Sequence, residues 1–350
     1  MISLRRVVTA GLILSFGFLA QAETLSVLSK EGQISPTLIE AFEQESGVEI
    51  VPTFFESHSH RDAILAANQG RGFDLLLVDG ISVHHAVKLG WIAPIDRRLV
   101  PNARHISTIW SQAFTDTADY GVPYAWGILV IAYRTDLVTA PVSSWRKLFQ
   151  PQAALKGKIT LIRDADSVIG MALKALGHSV NSSDPVQLTE VESMLKIQKS
   201  FVHSYRYRGA VEDSDLVRGR TATAMMYNGD ALLLQERCPN ITLAHPEEGT
   251  RLWCDYFAVA LSSPRHDLAH AFINFLHEPE RAAQNALAVR LATPNVAATQ
   301  HLPEAFLSNR SIYPDGKLMA RCEVLGRVEA AGLRERNRIF RPLVGEGRGT

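Results

Sequence analysis

The sequence predicts a two-lobed α/β protein, and three observations carry that reading. Past residue 22, strand-like and helix-like segments alternate at short intervals, and the alternation runs through two separate series. Two long, apolar, β-rich stretches, 121–133 and 253–261, have the length needed to pass from one lobe to the other. At 350 residues, with 46% hydrophobic and 21% charged residues, the chain has material for two cores.

The first series opens with a strand at 24–29. Ser35 and Pro36 then cap and open a helix with Leu38, Ile39 and Phe42 on its apolar face and Gly47 at its end. A strand at 48–54 and a helix covering 64–68 follow. Residues 74–78 (DLLLV) form an unbroken apolar run, as expected of a parallel strand covered on both faces, before a helix at 82–89. In the second series, helices are expected at 144–149, 168–176 and 186–202, and strands at 158–162, 221–227 and 241–245. The tail from residue 267 is mostly helical, with Leu268, Phe272, Phe275 and Leu276 on one face. The lobes are assigned as 23–127 plus 254–300 and 128–253 plus 301–350.

The N-terminus reads as a secretory signal peptide over 1–22. Arg5 and Arg6 precede a 14-residue apolar run, too short to span a bilayer comfortably, and Ala20-Gln21-Ala22 supplies the small-x-small cleavage pattern. Cleavage after Ala22 places the protein in the periplasm. Loss of the two arginines takes an even balance of 36 basic and 36 acidic residues to a net charge of about −2. There is no basic stripe for nucleic acid and no later apolar run of transmembrane length.

Three cysteines, Cys238, Cys254 and Cys322, leave at least one thiol unpaired. A Cys238–Cys254 disulfide and three free thiols both remain open.

Chemistry-bearing motifs are missing: no GxSxG, HExxH, Walker loop or GxGxxG follows a strand, so a binding role is favoured over an enzyme. No cofactor is indicated. His58 and His60, like His84 and His85, fall short of a zinc ligand set and read as loop and helix histidines. Tyr205 and Tyr207 read as packing or surface residues. Asp79, Asp164, Asp166, Tyr227, Trp253 and Asp255 stand at expected strand ends, where open α/β sheets hold ligands. A carboxylate with an aromatic face suits an ammonium group. Trp253 and Asp255 are two apart on one strand and share a side, whereas Asp164 and Asp166 equally suit a helix cap.

Several stretches together, among them SPTLIEAFEQESGVEI, FDLLLVDGISVHHAVKLGWIAPID, GVPYAWGILVIAYR, MMYNGDALLLQE, PEEGTRLWCDYFAVAL and SIYPDGK, carry a resemblance across nearly the whole mature chain. The sequence resembles the periplasmic spermidine/putrescine-binding proteins of polyamine ABC transporters, within the bacterial extracellular solute-binding proteins, and also their norspermidine-sensor branch. The resemblance implies the periplasmic-binding-protein type II fold, with two α/β lobes joined by crossing hinge segments around a ligand cleft. It implies a monomer that captures spermidine, putrescine, norspermidine or a related amine for an inner-membrane ABC permease. A sensor docking on a cyclic-di-GMP receptor, and a binder of amino acids or other zwitterions, are the alternatives.

Carried over by position, Asp255 matches the key amine-binding aspartate, Trp253 its neighbouring tryptophan and Asp164 a second carboxylate, while Tyr227 replaces a pocket tryptophan. Asp79 replaces a small polar residue. Lys30 and Gln33 stand where the family has tryptophan and tyrosine, Ile81 and Leu291 where it has aromatics, and Ser167 where it has glutamate. A cation at Lys30 repels an amine unless Asp79 or another acid neutralises it.

Overall fold

The computed structural model describes residues 23–345 apart from 114, 206–208, 212 and 327, and leaves aside the side chains of 59 and 115. The signal-peptide segment and Tyr207 lie outside the described residues.

The strands are β1 (Glu23–Lys30), β2 (Val48–Phe55), β3 (Leu75–Asp79), β4 (Val122–Arg134), β5 (Ile159–Thr160), β6 (Val202–Ser204), β7 (Thr223–Tyr227), β8 (Ile241–Ala244), β9 (Arg251–Val259) and β10 (Glu323–Val324). They form one curled sheet in the order β2-β1-β3-β9-β4-β7-β5-β6, with β8 also on β4 and β10 on β9. In the N-terminal lobe β1 runs parallel to β2 and β3. In the second lobe β5 runs parallel to β6 and β7.

Two strands belong to both lobes. Antiparallel β4 and β9 pair from Val122↔Phe257 to Ile128↔Leu252, and from that common segment β9 continues along β3 while β4 continues along β7. These are the two extended stretches expected to cross between lobes. Strand β4 is buried nearly throughout because helices cover both faces, and its alternate residues feed different cores. Trp126, Ile128 and Val130 enter a core shared across the lobes, Leu129 and Ile131 that of the second lobe, and Val122 and Tyr124 that of the N-terminal lobe. The fold is the expected type II arrangement of two α/β lobes joined by crossing segments.

Some local expectations are corrected. Ser35 makes no side-chain cap bond; the helix Pro36–Ser46 starts on Pro36 and ends at Gly47, whose φ of 72° suits a residue without a Cβ. The expected helix 186–202 is Pro185–Gln198, followed by a 3-10 turn and β6. The second helix of the first series begins early, at His58, on a Ser57 cap. All three thiols are free, and Cys254 is buried in β9.

Candidate functional site

The carboxyl ends of β1, β3 and β7 and the loop after β5 deliver Lys30, Asp79, Tyr227 and Asp164 towards the middle of β9. There Arg251, Trp253 and Asp255 share one side of the strand by its two-residue period. Asp79 pairs directly with Asp255 in the antiparallel β3–β9 ladder, so two carboxylates meet at the lobe junction.

Asp79 caps the helix Gly80–Lys88. Its Oδ1 accepts from the backbone of Ile81 and Ser82, and its Oδ2 accepts the Ser82 hydroxyl at 2.8 Å and lies 3.0 Å from Arg61 Nη1. Burial works against its charge, yet Arg61, His58 and the Ser82 bonds outweigh it and hold the carboxyl far below the usual range. Arg61 is 2% exposed; it also pairs with Asp62 and donates to the Ser82 hydroxyl.

Asp164 caps the helix Ala165–Ala175 through the Ser167 N–H at 2.7 Å and lies 3.4 Å from Arg251 Nη1. Burial opposes its ionisation, but Arg251 and the neighbouring donors prevail and lower its pKa. Ser167 is fully buried, and its hydroxyl accepts from Arg251 at 2.8 Å. Asp166 pairs with Arg336 at 3.3 Å. The capping role of Asp164 is thus present, together with a cation of the protein's own.

Asp255 is held differently. It is half-buried, and its Oδ2 accepts from the neutral amide of Gln33 at 3.0 Å. No lysine or arginine among the described residues forms an ion pair with it. Burial, reinforced by Asp79, pushes its pKa up despite opposing contributions from His58, Gln33 and Arg61. Tyr124 in β4 donates its hydroxyl to the Gln33 carbonyl at 3.0 Å and so fixes the turn that carries the amide.

The aromatic wall is Tyr227 edge-on to Trp253, with ring centroids 5.6 Å apart at 82°. Gly127 lies opposite Trp253 across the β4–β9 pair, and a Cβ there would come within 2.6 Å of the indole and 2.2 Å of Asn228 Oδ1. Only glycine permits that close approach. Buried Asn228, next to Tyr227, accepts from the Ile128 N–H and donates to the Ser311 carbonyl, which ties β4 to the helix Asn228–Arg237.

Lys30 Nζ lies 3.2 Å from Asp230 Oδ2 and 5.5 Å from the Tyr227 ring centroid. The acid beside it is therefore Asp230 of the second lobe, while Asp79 is engaged by Arg61. Ile81 lines a recess between the helix Gly80–Lys88 and the segment Val328–Leu333, which also takes in His84 and His85. Leu291 is buried and packs beside Gly229. Tyr205 packs edge-on against Phe340.

Arg61, Arg251, Asp230 and His58 complete the cluster beyond the ligand-site residues that the sequence points to. Two had local signals. Arg61 falls on the apolar stripe of its helix with Ile64 and Leu65, where a charge must be paired, and Arg251 has the same strand parity as Trp253 and Asp255.

The sequence profile of the bacterial extracellular solute-binding proteins matches residues 37–308. The chain belongs to that family. This solute-binding protein is 29% identical over 300 residues to the spermidine/putrescine-binding periplasmic protein of Escherichia coli K12, with 85% of each chain covered. It is 27% identical over 323 residues to the norspermidine sensor of Vibrio cholerae, covering 92% of this chain and 89% of the other. Among solved structures, a spermidine/putrescine ABC transporter substrate-binding protein from Streptococcus pneumoniae superposes with a TM-score of 0.79 at 25% identity, covering 92% of this chain and 98% of that one. As a member of the family, this solute-binding protein holds a solute and is not an enzyme. Among its described residues no helix is long and apolar enough to cross a membrane.

Proposed function

We propose that the protein captures a polyamine or related small amine in the periplasm and delivers it to an inner-membrane ABC permease. One observation carries the reading: Asp255, at the lobe junction, is a half-buried carboxylate with no lysine or arginine partner among the described residues, and Tyr227 and Trp253 pair edge-on nearby. A buried carboxylate is costly unless a cation joins it, and an ammonium between a carboxylate and aromatic faces gains from both. The likeness to the Escherichia coli protein supports the amine class.

In this reading Asp255 is the anchor and Trp253 and Tyr227 form the wall. Asp79 and Asp164 hold the strand ends and their arginines in place, and Gln33 and Lys30 border the guest. Ser167 orients Arg251, and Ile81 lies at the rim. The lobes, 23–127 plus 254–300 and 128–253 plus 301–350, close on β4 and β9 around the guest. The mature protein is a monomer released by cleavage after Ala22. A second reading, occupancy sensed by a membrane receptor, is favoured by the extent of the likeness to the Vibrio cholerae sensor. Both readings use the same closed state.

Calorimetry and thermal shift with putrescine, spermidine, norspermidine and simple monoamines test the proposal. Heat and a raised melting temperature with at least one amine are expected. Silence across the whole panel at millimolar ligand removes the amine assignment.

A further inference from the structure

The charges around Asp255 narrow the class of amine. Asp79 has Arg61, Asp164 has Arg251 and Asp230 has Lys30, all at 3.0–3.4 Å. Asp166 with Arg336 is a further ion pair, and His58 Nδ1 lies 3.9 Å from Asp79. Asp255 is held instead by the neutral amide of Gln33. Among the described residues, Asp255 is thus the one acid of these five without a lysine or arginine partner.

Lys30 explains where a second cation would otherwise go. Its ammonium rests between a carboxylate and the Tyr227 ring, which is the setting an amine ligand would seek. The two ends of this pair come from different lobes, β1 and the helix Asn228–Arg237, so the contact joins the lobes.

We infer that Lys30 is a built-in occupant of one ammonium position, and that the site selects a ligand with a single ammonium group, held by Asp255, over diamines and triamines. This inference rests on the amine reading above and refines it. A ligand with a second ammonium must either approach Lys30 or displace it from Asp230, and each route weakens binding. A neutral polar or carboxylate far end meets no such opposition.

The test is a matched series differing only at the far end: 4-aminobutanol, putrescine and γ-aminobutyrate, measured by calorimetry on the wild type and on Lys30→Met. The wild type should bind 4-aminobutanol or γ-aminobutyrate at least about tenfold more tightly than putrescine. Lys30→Met, which leaves Asp230 without its lysine, should gain about tenfold or more for putrescine and reverse the order. Lys30→Gln, keeping a polar head on the stem, is the second variant should the methionine protein fold poorly, with the same direction expected. Putrescine preferred by the wild type, or an order unchanged in either folded variant, overturns the role of Lys30 and leaves amine capture standing. Binding of spermidine or norspermidine but of no member of the series overturns the selection of a single ammonium group, and silence toward the triamines as well defeats the amine reading itself.

Discussion

Replacing Asp255 by Asn separates binding from folding at a single atom pair. The substitution keeps shape and one acceptor for the Gln33 amide, which now lies 3.0 Å from Oδ2, and removes the charge. Loss of a charge-assisted hydrogen bond to an ammonium costs about 1.5–3 kcal/mol, so amine affinity should fall by about 10- to 150-fold. Apoprotein stability should move the other way or stay put. Burial raises the folded-state pKa of Asp255, so this carboxyl favours folding only at low pH, and that contribution is lost as pH rises through the folded value. Above that value the charged group is a burden on the empty protein, and Asn relieves it. Titration calorimetry with the tightest amine and denaturant unfolding of both apoproteins supply the two numbers. Affinity within about twofold of wild type, or an Asn apoprotein clearly less stable, would refute the anchoring role.

Two further outcomes follow from the same geometry. Amine affinity should decline as pH falls from neutral, beginning above the range of an ordinary aspartate. Protonation of Asp255, whose neighbours are Gln33, Asp79, Arg61 and His58, removes the anchor, and a flat affinity profile down to the ordinary aspartate range contradicts this. Arg61→Met strands Asp79 without its buried partner and should cost about 3–5 kcal/mol in denaturant unfolding, while the added negative charge leaves amine affinity equal or higher. An undiminished unfolding midpoint would show that the Ser82 and backbone bonds alone suffice for Asp79.

Local pattern determined a good part of this protein. Unbroken apolar runs marked β3 and β4, and strand parity placed Trp253 and Asp255 on one side, because backbone periodicity is a property of a few consecutive residues. The same rule, applied to Arg251 and to Arg61 on its helix, would have revealed two of the cations. Tertiary structure alone decided how the charges are shared. Asp79 stands opposite Asp255 only through the β3–β9 register, and Lys30 meets Asp230 across 200 positions of chain and two lobes. Asp79 and Asp164 read in sequence as carboxylates at strand ends, but whether each is cap, ion-pair partner or open anchor depends on which arginine the packing brings beside it. Ion pairing is set by distances of a few ångströms between segments far apart in sequence, and no periodicity encodes those distances.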